Sequence, residues 1–303
     1  ACLSAHDGET AVRHQVQKRL RPQARPALSV APAVSVCIPT YRGAAHIAET
    51  IESALAQSFA DFELVIVDDA SPDETGQVVA RYRDARLRYV RSERNAGVEE
   101  NWNRCLRFAR GRYFKLLPHD DLIAPDCLAR QVAVLEADSD ERLALVFCAR
   151  RIIDSRSRAL MTRRYPRGSS GVIPARAVVR NCIRGGTNLL GEPGGLLFRT
   201  ALARRVGAFD ASLRIVTDLD YWVRLLLHGD AYYLAERLAS FRVSQGAWSV
   251  AIGAAQAAEF LAFIAKVGAN PAFGLSALDI ARGRLLARLN TLAKLFFYRL
   301  VPR

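Results

Sequence analysis

Leu64-Val65-Ile66-Val67-Asp68-Asp69 and Tyr113-Phe114-Lys115-Leu116-Leu117-Pro118-His119-Asp120-Asp121 are two apolar segments, each ending in adjacent acids. Apolar runs of this length read as buried strands. In open α/β sheets ligands bind just outside the C-terminal ends of the strands. One acidic pair there is easily accidental. Two in the same context imply a site that holds a base or sugar through one pair and a divalent metal through the other.

The surrounding chain supports that reading. Val34 to Pro39 reads as a strand ended by proline, and Ile47, Ile51, Ala54 and Leu55 recur at helical spacing across 44–57. Phe62 to Val67 is the second strand, Ser71-Pro72-Asp73 opens a helix over 73–83, and Leu87 to Val90 is a third strand. Asn95-Ala96-Gly97 is a turn, 98–109 a helix and 112–117 a strand. Such alternation predicts an α/β fold with a mostly parallel, doubly wound, Rossmann-like sheet.

The second half is less regular. A helix at 125–137 precedes a strand at 143–149, and 154–171 reads as an arginine-rich loop. Two glycine-rich stretches, 185–187 and 191–195, lead into a strand at 196–199. Thr217 is placed to cap a helix over 218–228. From about 275, Leu278, Leu285, Leu289, Leu292 and Phe296 fall on one helical face with arginines opposite.

The net charge of +13 is concentrated at the two ends. Residues 1–30 carry five basic side chains against two acidic ones, and 272–303 carry six against one. That favours an anionic surface or phosphate-bearing ligands. No nucleic-acid-binding motif accompanies the charge, so no nucleic-acid partner is expected. The six cysteines are scattered without a zinc pattern, which fits a reducing compartment. No segment has the length of uncharged apolar residues that a spanning helix needs, and no signal-peptide core is visible. A cytoplasmic location is therefore expected. The absence of GxxxxGK[ST] and GxGxxG removes the usual kinase and dehydrogenase readings.

Residues 34–249 carry an ordered set of short motifs. They are Val36-Cys37-Ile38-Pro39-Thr40-Tyr41, Val65 to Ser71, Asn95-Ala96-Gly97, Asn103 with Gly111, and Pro118-His119-Asp120-Asp121. Arg199, Gly207-Ala208-Phe209-Asp210, Asp218-Leu219-Asp220-Tyr221-Trp222 and Phe241-Arg242-Val243 follow. In this order they resemble the family 2 glycosyltransferases, inverting, nucleotide-sugar-dependent enzymes with the GT-A fold. The resemblance implies a GT-A domain over 33–249, with a nucleotide-binding half at 33–121 and an acceptor half at 122–249. A flexible basic leader would occupy 1–32 and a helical, basic amphipathic extension 250–303.

By that resemblance Asp69 accepts a hydrogen bond from the base, the alternative being a cap for the helix at 73–83. Tyr41 lies along the base, with Pro39 and Thr40 beside it. Arg94 and Asn95 contact base or diphosphate, or are plain turn residues. Asp120 and Asp121 stand where the family places its DXD-type motif. Asp121 would hold Mg²⁺ or Mn²⁺, and Asp120 would touch ribose or the metal shell. Pro118 replaces the motif's usual first acid. A hard divalent ion offsets charge on a nucleoside diphosphate leaving group.

Asp218 is the expected general base, taking the acceptor hydroxyl's proton as that oxygen attacks the anomeric carbon. The competing explanation is a helix N-terminus that simply favours acids. Asp220 reads as structural. Glu192 is a candidate acceptor contact, and Trp222 is either an acceptor platform or core. Ser244 follows Arg242-Val243 where relatives often have His, and the Gln-x-x-Arg-Trp motif of processive synthases is absent.

The expectation is therefore transfer of one sugar, from a UDP- or dTDP-sugar, to a glycan or polyprenyl-phosphate-linked acceptor in cell-surface polysaccharide synthesis. Peripheral membrane contact would come through the C-terminal helix. The alternatives are a nucleotidyltransferase, which would want a richer Gly/Lys loop after the first strand, or a non-catalytic nucleotide-sugar- or glycan-binding protein.

Overall fold

Both acid-tipped segments are strands flanking one central strand. The computed structural model describes residues 31–243 and 255–300. Residues 1–30 of the expected leader and Ser244 lie outside these residues. β1 (Val34–Thr40) pairs in parallel with β2 (Phe62–Asp68) on one side and with β4 (Tyr113–Leu116) on the other. β3 (Leu87–Arg91) adds to β2. Val65 and Val67 face one apolar cluster, and Leu64 and Ile66 face the other. Burial on both faces is why the strand reads as an unbroken apolar run. Each such fully buried side chain contributes about 1.5–3 kcal/mol.

Helices α1 (Ile47–Leu55), α2 (Thr75–Val79) and α3 (Val98–Phe108) connect these strands. The sheet continues in the order β3-β2-β1-β4, then β9 (Leu196–Arg199), β6 (Leu143–Ile153), β10 (Asp230–Arg242) and β5 (Leu122–Ile123). α4 (Cys127–Glu136) follows β5. β9 runs antiparallel to both β4 and β6, so the sheet is mixed beyond the parallel four-stranded block. β10, the longest strand here, lies parallel to β6.

Two expectations change. The stretch 154–171 is not wholly loop: β7 (Ala159–Arg163) folds back along β6 as a hairpin. β8 (Gly171–Ile173) then pairs with β10. Nor does Thr217 cap its helix. The N-cap of α7 (Thr217–Leu225) is Val216, and the Thr217 hydroxyl donates back to the Leu213 carbonyl at 2.6 Å.

α5 (Ala175–Gly185) and α6 (Thr200–Val206) flank the second half, and α8 (Ala255–Gly268) and α9 (Ala277–Leu300) follow it. Among the described residues no helix is long and apolar enough to cross a membrane. From Pro32 onward the chain forms one compact unit.

α9 packs on α5 through its small-residue face. A Cβ at Gly283 would collide with the Ile183 carbonyl, and one at Gly186 with the Ala287 backbone. Asn290 donates to the carbonyls of Gly185 and Gly186 at 2.7 and 3.1 Å. Gly283→Val should therefore lower the unfolding free energy by about 1–3 kcal/mol, the usual cost of overpacking. An unshifted urea midpoint would show that this helix contact is not made in solution.

Candidate functional site

The loop after β1 is held open by the segment after β2. Arg42, Gly43 and Ala44 donate their backbone N–H groups to Ser71 Oγ, Thr75 Oγ1 and Asp73 Oδ2 at 3.0, 2.9 and 3.2 Å. This stitching leaves the Tyr41 ring 39% exposed on a fixed backbone, and Arg42 lies 5.4 Å from its centroid. Pro39 ends the buried strand and Thr40 is buried, its Oγ1 making no hydrogen bond. A rigid, exposed aromatic beside a strand end is a surface on which a planar ring can stack.

Asp68 and Asp69 are both buried. Asp68 accepts from Ser71 N at 2.9 Å and from the Tyr89 hydroxyl. Asp69 accepts from Ala96 N at 2.9 Å and Gly97 N at 2.9 Å, with Arg104 at 3.5 Å. It therefore caps neither the helix beginning near residue 73 nor α3, whose N-cap is Gly97; its donors lie in the turn that leads into α3. Asn95 Nδ2 donates to the Asp69 carbonyl at 3.3 Å, and Arg94 is exposed on the same turn. The carboxylate fixes the Arg94–Gly97 turn opposite Tyr41's loop.

At the end of β4 the chain turns through Pro118 to Asp121. Asp120 is half-buried, whereas Asp121 is 2% exposed. That burial excludes a pair of solvated turn acids. Burial, and next the Asp120 charge, hold the Asp121 carboxyl well above the usual carboxylate range. Its Oδ1 accepts from the Arg242 backbone N–H at 3.0 Å.

Arg242 itself is fully buried and binds five further groups. Nε donates to the Asp120 carbonyl at 2.8 Å. The guanidinium also reaches the Asp154 and Ser155 carbonyls, Ser157 Oγ and Glu49. The sequence motif Phe241-Arg242-Val243 carried no assigned role for this residue. An arginine inside an apolar strand was the available signal, since a buried guanidinium needs partners for its donors.

The third group of residues surrounds a cavity of about 510 Å³. Asp218, on the first turn of α7, lines it together with Glu192, Pro118, Arg150 and Asn188. Asn188 Nδ2 donates to Asp218 Oδ2 at 3.0 Å, and Leu219 N donates to Oδ1 at 2.6 Å. Asn188 also exchanges hydrogen bonds with Gly191 at 2.9 and 3.1 Å, so the base-bearing turn and the glycine-rich loop are one unit. Gly191 sits at φ +103°, and a Cβ there would meet the Arg150 guanidinium at 2.8 Å.

Arg150 forms an ion pair with Glu192. These two residues also pack beside Asp121 and Gly194 with no free volume between them, so they adjoin both Asp121 and the Asp218 cavity. Neither Arg150 nor Asn188 stood out in the sequence. Each acts through a partner distant along the chain.

Trp222 is not an acceptor platform. It is wholly buried, packs 5.6 Å from Phe198, and donates from Nε1 to the Gly191 carbonyl at 3.3 Å. Asp220 is structural as expected, pairing with Lys266 at 2.7 Å and Arg224 at 3.0 Å. Several other motif residues are frame as well. Asn103 exchanges hydrogen bonds with Phe209, and Arg199 donates to the carbonyls of Leu135, Asp138 and Leu143. Asp210 pairs with Lys266, its carboxyl lowered to about 2, first by the Ser212 backbone N–H.

Among the described residues no three His, Cys, Asp or Glu side chains converge as a metal cage. What the site offers is a pair of adjacent carboxylates, one desolvated and raised in pKa. Such hard oxygen donors suit Mg²⁺ or Mn²⁺ and not a thiophilic ion. A cation beside Asp121 would favour its ionised form against the burial, and next the Asp120 charge, that raise its pKa.

A parallel block with acids at its strand ends, extended by a mixed sheet that carries a second acidic turn, is an α/β architecture whose ligand site lies at the carboxyl ends of its strands. The sequence model of glycosyl transferase family 2 matches residues 35–189, just over half of the chain. The chain belongs to glycosyl transferase family 2. It is 32% identical over 216 residues to an uncharacterized glycosyltransferase of Rickettsia typhi, covering 70% of this chain and 64% of that one. It thus spans just under two thirds of that relative's length.

The fold is shared with S. aureus TarS 1–349 in complex with UDP-GlcNAc, at a TM-score of 0.64 and 20% identity. That match covers 86% of this chain and 72% of TarS 1–349. It is shared too with the mannosyltransferase PcManGT of Pyrobaculum calidifontis in complex with GDP-Man and Mn²⁺. There the TM-score is 0.62 at 21% identity, over 99% of this chain and 85% of the other. These likenesses establish the GT-A fold.

Proposed function

We propose that this protein is an inverting glycosyltransferase, moving one sugar from a UDP- or dTDP-sugar to a hydroxyl of a glycan or polyprenyl-phosphate-linked acceptor. Cell-surface polysaccharide synthesis, on the cytoplasmic side, is the process it would serve. The observation that carries this reading is the placement of Asp218 in a 510 Å³ cavity whose lining residues Arg150 and Glu192 also border Asp121. A base and a diphosphate-side acid on adjoining walls are what a single displacement requires. The five described cysteines are all free thiols, consistent with a reducing compartment.

In this reading the nucleotide lies across the ends of β1, β2 and β4. Its base stacks on Tyr41 and faces the Arg94–Asn95 turn that Asp69 anchors, with Pro39 and Thr40 at the floor. Asp120 reaches the ribose. Asp121, with Asp120, would hold Mg²⁺ or Mn²⁺, which supplies charge compensation to the departing diphosphate. The Mn²⁺ in the PcManGT complex, which shares this fold, supports a divalent metal as the cofactor.

Asp218 removes the proton of the acceptor hydroxyl as the new bond forms. Asn188 holds the carboxylate at one oxygen, and Glu192, fixed by Arg150, contacts the acceptor. Losing one orienting hydrogen bond costs about 0.5–1.5 kcal/mol, so Asn188→Ala should lower kcat roughly 3–10-fold with donor KM unchanged. A shift confined to KM would remove Asn188 from this role.

The deciding experiment is a thermal-shift screen of UDP-, dTDP- and GDP-sugars, each with and without Mn²⁺. One nucleotide should raise Tm, more so with Mn²⁺, and Asp121→Asn should abolish the metal-dependent part. At a hundredfold excess over Kd the stabilisation is about 2.7 kcal/mol, which is readily seen. No shift with any donor would overturn the transferase reading in favour of a non-catalytic glycan-binding protein.

A further inference from the structure

The amphipathic pattern of α9 invites the assumption that its leucines are what hold it to the domain. The structure shows the reverse. Gly283, Ala287 and Thr291 are buried against the domain, and Ala287, Asn290 and Thr291 line the Asp218 cavity. Leu278, Leu285, Leu289 and Leu292 are 75%, 58%, 50% and 64% exposed. At 3.6 residues per turn these four fall within about 60° of arc, opposite the packed face. A contiguous leucine stripe facing solvent is an interaction surface, unlike scattered single exposures.

The flanks of the stripe are basic. Arg282 lies on one side and Arg284 and Arg288 on the other, all exposed. Leucines bordered by arginines match an interface with acyl chains below and anionic headgroups above, where long cationic side chains reach outward. A second copy of the chain would meet the same arginines and be repelled.

We infer that α9 docks the protein on an anionic lipid bilayer through Leu278, Leu285, Leu289 and Leu292. The helix is fixed to α5 by its glycine contact, so docking orients the whole domain. Because the inner face of the same helix lines the Asp218 cavity, docking would bring that cavity within about one helix diameter, about 10 Å, of the lipid surface. On the transferase reading above, this favours the lipid-linked acceptor over a free glycan. The docking itself does not depend on that reading.

The test is co-sedimentation of the full chain with phosphatidylcholine vesicles, with and without phosphatidylglycerol. Wild type should partition to the anionic vesicles and be released by high salt. The pair Leu285→Glu and Leu289→Glu, at exposed positions that leave the core intact, should weaken partitioning at least about tenfold. Arg282→Glu with Arg288→Glu should lose the preference for phosphatidylglycerol. Acceptor-independent hydrolysis of the nucleotide sugar should stay unchanged in both variants, which separates this inference from the donor-site reading. Wild type that stays in solution, or leucine variants that partition as wild type does, would overturn it. So would sedimentation velocity showing a dimer that the leucine variants split while vesicle binding persists.

Discussion

Asp218→Asn should lower kcat by about 10²–10⁴-fold, the range that general base catalysis supplies, while leaving nucleotide-sugar binding intact. The amide keeps the shape of the side chain at the helix N-terminus, and the Leu219 N–H can still find its oxygen acceptor. What disappears is the basic oxygen that would take the acceptor proton. The effect should therefore fall on kcat, and the thermal shift produced by donor and Mn²⁺ should match wild type. Equal activity would identify Asp218 as a helix-terminus acid and nothing more. Asp220 is the internal control, since its loss should act on stability through Lys266 and Arg224.

Arg242→Met should destabilise the fold by about 2–4 kcal/mol and loosen the Asp120–Asp121 turn at the same time. Its ion-pair partner Glu49 is 46% exposed, so the salt bridge alone is screened and worth little. The larger cost comes from leaving the carbonyls of Asp120, Asp154 and Ser155 without their donor. Each such buried loss costs about 1–3 kcal/mol. Arg242→Lys should recover little, because one ammonium cannot reproduce the planar fork that serves several directions at once. The measurements are a urea midpoint and, in the folded protein, the Mn²⁺-dependent part of the donor thermal shift. A stable variant with a full metal-dependent shift would remove Arg242 from the support of Asp121.

The alternation of strands and helices through residue 117 was legible because β1, β2 and β4 are buried on both faces, β3 is half-buried, and each helix buries one face. Local pattern then tracks burial directly. Asp120 and Asp121 stood out as candidates because they follow an apolar run, whereas Asp218, at a helix N-terminus that favours acids anyway, stood out only through the family resemblance. The second half was less so. The 13-residue β10 went unread because its residues alternate in exposure, carry bulges against β6, and gain their partners far along the chain. The β6–β7 hairpin was obscured by arginines, β7 being exposed throughout.

Side-chain roles diverged most where one residue type serves either purpose. Asp69 is an acid at a strand end, yet its oxygens accept the N–H groups of Ala96 and Gly97, donors that fold only after α3 is in place. Trp222 shares its motif with the proposed base, but the alternation of the helix turns it into the aromatic core with Phe198 and Phe209.

The sequence by itself determined the family, the parallel block and the positions of the acids, because these depend on short-range pattern and on residue chemistry. Only the tertiary structure decided which acids are buried, which residues hold them, and which face of α9 meets solvent. A helical wheel gives two faces but not their orientation. Here the close approach of Gly283 and Gly186 to the facing backbone drew the small-residue side inward and left the leucines outside.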